Sequence, residues 1–91
     1  MNSLSNISLK DYREFIKNAC CKYIGTNSGH EKWTRRDLTR PIIVQTHIDP
    51  VPEFIIKNAL RSLSLNKKDF FDILYANEAA IQKLKDGLEK K

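Results

Sequence analysis

The sequence predicts an α+β domain in which helices cover one face of a small antiparallel sheet. Three patterns carry that expectation. Apolar residues recur at three- and four-residue spacing on both flanks, at Leu9, Tyr12, Phe15, Ile16 and Ala19, and again at Ile55, Ile56, Ala59, Leu60 and Leu63. Between these flanks, residues 30–36 alternate and residues 41–47 are β-branched and apolar, as paired strands require. Gly25 and Gly29 bracket one turn, and Pro50 and Pro52 close the strand region.

Taken in order, residues 9–20 form the first helix, with Ser8 as its N-cap and Asp11 placed for an approximate capping box. Lys22-Tyr23-Ile24 is a short strand, and residues 25–29 are a turn-rich break. The next two strands are joined by Asp37-Leu38-Thr39-Arg40, which sets His30 opposite His47, Trp33 opposite Val44 and Arg35 opposite Ile42. Side chains alternate along a strand, so His30, Lys32, Thr34, Ile43, Gln45 and His47 share one face, and Trp33, Ile42 and Val44 form the better core face. Pro52 suits the first position of a helix over 53–63. Asn66 caps a further segment, with Asp69 completing another approximate box, and Phe70, Leu74, Ile81, Leu84 and Leu88 continue at helical spacing. Residues 1–74 therefore make the domain proper, and 75–91 a C-terminal helical extension of it.

Ninety-one residues, 41% hydrophobic and 30% charged, suit one folded domain and not a disordered chain. No apolar run approaches the roughly 20 residues that span a bilayer, and the first residues lack the pattern of a signal peptide. The expectation is a cytoplasmic protein without a membrane partner. Cys20 and Cys21 are sequence neighbours, which pair only with strain, so they read as reduced, partly buried thiols. Two distant histidines do not make a zinc site, and no metal or cofactor is expected.

Charge is unevenly spread. The net value is +5, and residues 1–40 hold eight Lys/Arg against four Asp/Glu, whereas residues 41–91 hold eight against seven. The excess gathers at Lys22, Lys32, Arg35, Arg36 and Arg40, around the strands, and favours a phosphate-bearing partner. The chain's two histidines fall in the same region, His30 after Ser28-Gly29 and His47 at the end of Ile43-Val44-Gln45-Thr46. Histidine is the side chain whose ordinary pKa best suits proton transfer near neutrality. RNA carries its own nucleophile, the 2′-hydroxyl. A base that takes its proton, an acid for the leaving 5′ oxygen and cations at the phosphoryl oxygens suffice for cleavage. His30 is the candidate catalytic group and His47 a weaker second one. Lys32, Arg35, Arg36 and Lys22 are the candidate RNA contacts.

Ser28-Gly29-His30-Glu31-Lys32-Trp33, Ile43-Val44-Gln45-Thr46-His47 and Asn58-Ala59-Leu60-Arg61-Ser62-Leu63, in this order, resemble the HicA-type toxins of bacterial toxin–antitoxin pairs over roughly residues 9–74. The resemblance implies a double-stranded-RNA-binding-like fold and a metal-independent ribonuclease that cleaves mRNA. It also implies a HicB-type antitoxin covering the active face, with the family's catalytic histidine falling on His30. The chain departs from the family in having Ser28-Gly29 where Gly-Ser is usual, and in carrying Gln45 and Cys21 where proline and glycine are frequent.

Two other readings compete. A non-catalytic double-stranded RNA-binding module explains the basic patch but gives His30 no work. A helix–turn–helix protein would need residues 22–47 to be mostly helical, against their alternation, so no DNA contact is expected.

Overall fold

In the computed structural model, which describes residues 3–89, the elements run α1 (Leu9–Asn18), β1 (Lys22–Asn27), β2 (His30–Thr34), β3 (Ile42–Gln45), α2 (Glu53–Leu63), α3 (Lys67–Leu74) and α4 (Glu78–Glu89). The strands form one antiparallel sheet in the order β1-β2-β3, so both outer strands are edges. This is the expected α+β arrangement, with β1 longer and the two following strands shorter than the alternation suggests.

Helix starts follow local chemistry. The Ser8 hydroxyl accepts from the Asp11 N–H at 3.1 Å, and Asp49 reaches from the far loop to accept from the Leu9 N–H at 3.0 Å. Asn66 and Asp69 form a complete capping box at 2.9 and 3.0 Å. Pro52 stands as the N-cap of α2, one position before its expected place, where its missing N–H again costs no helical bond.

Helix ends are less legible. α1, α2 and α3 each close with the paired hydrogen bonds of a Schellman motif: Cys21 N–H to Ile16 and Cys20 to Lys17, Leu65 to Leu60 and Ser64 to Arg61, Asn77 to Asp72 and Ala76 to Ile73. The left-handed residue is a non-glycine each time, Cys20 at φ 70°, Ser64 at 59° and Ala76 at 57°. A Cβ is disfavoured there by roughly 1–2 kcal/mol, offset in part by the greater unfolded-state freedom of glycine. Ser64→Gly and Ala76→Gly should each raise stability by about 0.5–1 kcal/mol, read as a higher urea midpoint at unchanged slope. A lowered midpoint would mean that these side chains make contacts outweighing the strain.

The core lies between the sheet and the helices. Phe15, Ile16, Val44, Ile56 and Phe70 are fully enclosed, and Phe15 meets Phe70 edge-to-face at 4.5 Å between ring centroids. Phe70, Phe71, Ile73 and Leu74 of α3 all belong to this core, and Asn18 ties α1 to α3 through the Ile73 carbonyl at 3.0 Å. From α4, Leu84 and Ala80 pack against the core while half-buried.

The expected register is wrong by two residues. His30 lies opposite Gln45 and not His47, and Trp33 lies opposite Ile42 and not Val44. The cause is the connection. β2 stops at Thr34 because Arg35 turns inward and its carbonyl accepts from the Leu38 N–H at 2.9 Å, so Arg35 belongs to the loop and pairs with no strand residue. A slip of two keeps every side chain on its expected face, since the strand period is two. Trp33 is half-buried against the core, as the alternation requires.

Candidate functional site

β1 and β2 meet in a two-residue turn, Ser28-Gly29, whose φ values of 52° and 79° make it type I′. This is the hairpin turn that matches the twist of its strands, and it places His30 at the head of β2. The Thr46 N–H and hydroxyl both donate to the Gly29 carbonyl, each at 2.9 Å, which ties the start of the loop after β3 to the turn. The His47 imidazole lies against Gly29: a Cβ at that position would overlap its Nε2 and stand 2.8 Å from its Cδ2. Glycine is required here twice, by the backbone angle and by this contact. The two histidines therefore gather at one end of the sheet without facing each other as a cross-strand pair.

His30 is exposed, and among the described residues no hydrogen bond or ion pair engages its side chain. Lys32 follows it on the same face, about 7 Å along the strand. Lys22 shares that face, since it lies opposite Thr34, and both lysines are exposed. Ile43 and Gln45 complete the β3 part of it. No carboxylate stands on this face among the strand residues. Glu31, the strands' one acid, points to the helices, where Arg13 of α1 grips it bidentately at 3.1 and 2.6 Å and the Trp33 indole N–H donates to it at 3.2 Å. An open sheet face with two lysines, a histidine and no acid is electrostatically suited to an anion.

Arg35 does not belong to this face. It is the buried charged side chain among the described residues, 5% exposed. Its guanidinium holds Asp37 through two bonds of 2.6 and 2.8 Å and donates to the Ala19 carbonyl at 3.1 Å and the Leu63 carbonyl at 3.3 Å. Those carbonyls lie at the C-terminal ends of α1 and α2, where a cation is favoured by the helix dipoles. The expected phosphate contact is thus a structural clip. The signal was present in the alternation, which puts Arg35 on the Trp33 side. Arg36 is exposed in the turn beyond β2.

Tyr23 packs edge-to-face on Trp33 at 5.6 Å between centroids and is half-exposed at the rim of the helix-covered side. Cys20 and Cys21 are free, and burial pushes the Cys21 thiol up to about 11, so it stays protonated at neutral pH. Among the described residues no cluster of three or more His, Cys, Asp or Glu side chains is placed to hold a metal ion, and no helix is long and apolar enough to cross a membrane. No protein-family model matches the chain, and neither a curated protein nor a solved structure does.

Proposed function

We propose that this chain is a ribonuclease toxin of the HicA type, which cleaves mRNA in the cytoplasm by histidine acid/base chemistry and is neutralised by a HicB-type antitoxin protein. The observation that carries the reading is the exposed His30 at the hairpin head, beside Lys32 and Lys22 on a sheet face to which no strand residue contributes a carboxylate. The order of helix, three strands and helix suits a double-stranded-RNA-binding-like fold, and the HicA resemblance of the sequence assigns His30 the catalytic place.

In this reading the 2′-hydroxyl oxygen attacks the adjacent phosphorus as its proton passes to a base. The bond to the 5′ oxygen then breaks and that oxygen is protonated, leaving a cyclic phosphate and a 5′-hydroxyl end. His30 is the proton-transfer group, and Lys32 and Lys22 steady the phosphates. No metal takes part. An antitoxin that presents carboxylates to the same face would mimic phosphates and bury the histidine.

The experiment is cleavage of single-stranded and duplex RNA by the purified chain in the presence of EDTA, with growth arrest on induced expression as its cellular counterpart. RNA binding without any cleavage would favour the non-catalytic module. Reversing Lys22 and Lys32 together, as Lys22→Glu and Lys32→Glu, should weaken RNA binding at least about 10-fold at 100 mM salt. It should also reduce the slope of log affinity against log salt by about 2, one unit for each lost phosphate contact. Both positions are exposed, so the fold should persist, and an unchanged slope would move the RNA to another surface.

A further inference from the structure

β3 is an edge strand with an open outer side. The bond from the Thr46 N–H to the Gly29 carbonyl fixes which residues face β2, and antiparallel alternation then points the backbone groups of Ile42 and Val44 inward and those of Ile43 and Gln45 outward. The Gln45 carbonyl is taken by the Ile48 N–H at 3.3 Å. The Ile43 N–H and carbonyl and the Gln45 N–H have no partner among the described residues. Such an edge is a template for another strand.

Beside it, between β3 and α2, runs a cleft of about 260 Å³ walled by Tyr12, Ile42, Ile43, Ile55, Asn58 and Ala59 among others. Tyr12 is 1% exposed, and its hydroxyl is the buried side-chain group without a hydrogen-bond partner among the described residues. A buried donor left unmatched at the wall of a cleft calls for an acceptor from outside. The cleft's outer neighbours are cationic. Arg40 precedes the lining residue Pro41, and Arg61 lies one turn beyond Asn58 on α2; both are exposed. The nearby acid Glu53 is already matched by Lys57 at 3.3 Å. That balance opposes a second copy of this basic chain and favours a negatively charged guest.

We propose that the cleft between β3 and α2 docks an extended, acidic peptide segment of a partner protein. The segment adds a fourth strand along β3 through the outward groups of Ile43 and Gln45. It seats one side chain in the cleft, apolar along its stem and ending in a hydrogen-bond acceptor for Tyr12. The site lies at the outer edge of β3, bordering the His30 face through Ile43 and Gln45, and does not depend on RNA cleavage.

The test pans a displayed library of random ten-residue peptides on the full chain, then measures binding of the most enriched synthetic peptide by fluorescence anisotropy and amide hydrogen exchange. Enriched peptides should be acidic and should slow exchange at Ile43 and Gln45 at least about 10-fold. Ile43→Pro, which removes an outward N–H, should weaken binding at least about 10-fold, and Tyr12→Phe should weaken it several-fold. Ser62→Trp, which fills the cleft from an exposed position of α2, serves if the proline variant fails to fold. His30→Ala should leave peptide affinity unchanged, so loss of catalysis and loss of docking are separable. The proposal is overturned if the library yields no binder, if the binders ignore these substitutions, or if the chain self-associates and protects the same amides, which would assign the edge to a second copy.

Discussion

Under the proposed ribonuclease function, replacing His30 with alanine should lower RNA cleavage by about 100-fold or more and relieve growth arrest on expression, while leaving the fold intact. The proton-transfer contribution of a positioned histidine is about 10²–10⁴ in rate. The structural cost is small, because His30 is exposed and no side-chain partner among the described residues depends on it. An exposed strand substitution of this kind usually shifts stability by no more than about 0.5 kcal/mol. Cleavage rate, RNA affinity and urea midpoint measured on the same variant separate the possibilities. A folded His30→Ala protein that still cuts RNA at the parental rate would remove His30 from the mechanism, and His47, beside Gly29, would be next to examine.

Arg35→Ala should be the most destabilising single change outside the apolar core. It removes both Arg35 bonds to the Asp37 carboxylate, whose side chain is only 10% exposed, and takes the guanidinium donor from the Ala19 and Leu63 carbonyls. Breaking a buried ion pair by removing one partner costs roughly 3–5 kcal/mol, against a total stability of roughly 5–15 kcal/mol for a domain. Arg35→Lys should recover only part of this, since one ammonium cannot reproduce a bidentate grip and two carbonyl contacts at once. Arg40→Ala, at an exposed position, should change stability by less than about 0.5 kcal/mol. Urea unfolding followed by circular dichroism decides it. A loss below about 1 kcal/mol for Arg35→Ala would mean that the clip is incidental. A charge reversal at Arg35 should therefore unfold the protein, so a loss of any binding in that variant would not identify a ligand contact.

The fold class and most of the elements are written in local pattern. Periods of 3.6 and 2 are local properties, and they place α1 and α2, the strand region and the inward face of Trp33 and Val44. Side-chain caps are equally local, which is why Ser8, Asn66 and Asp69 are found where the letters put them. The same alternation places His30 and Lys32 together on the open face, and the pairing of β1 with β2 adds Lys22 to them. The remainder follows from packing between distant segments. The strand register depends on where the chain leaves β2, and that is set by the long-range demand of two helix ends for the Arg35 guanidinium, not by any nearby turn residue. The helix stops at Cys20, Ser64 and Ala76 carry no glycine to announce them, because Schellman hydrogen bonds and packing over-determine a conformation these residues disfavour. Tyr12 reads in the sequence as one more residue of an apolar stripe. Its buried, unpartnered hydroxyl and its place in the wall of the cleft exist only once the helices and the sheet are brought together, since burial and hydrogen-bond accounting are properties of the packed chain and not of its letters.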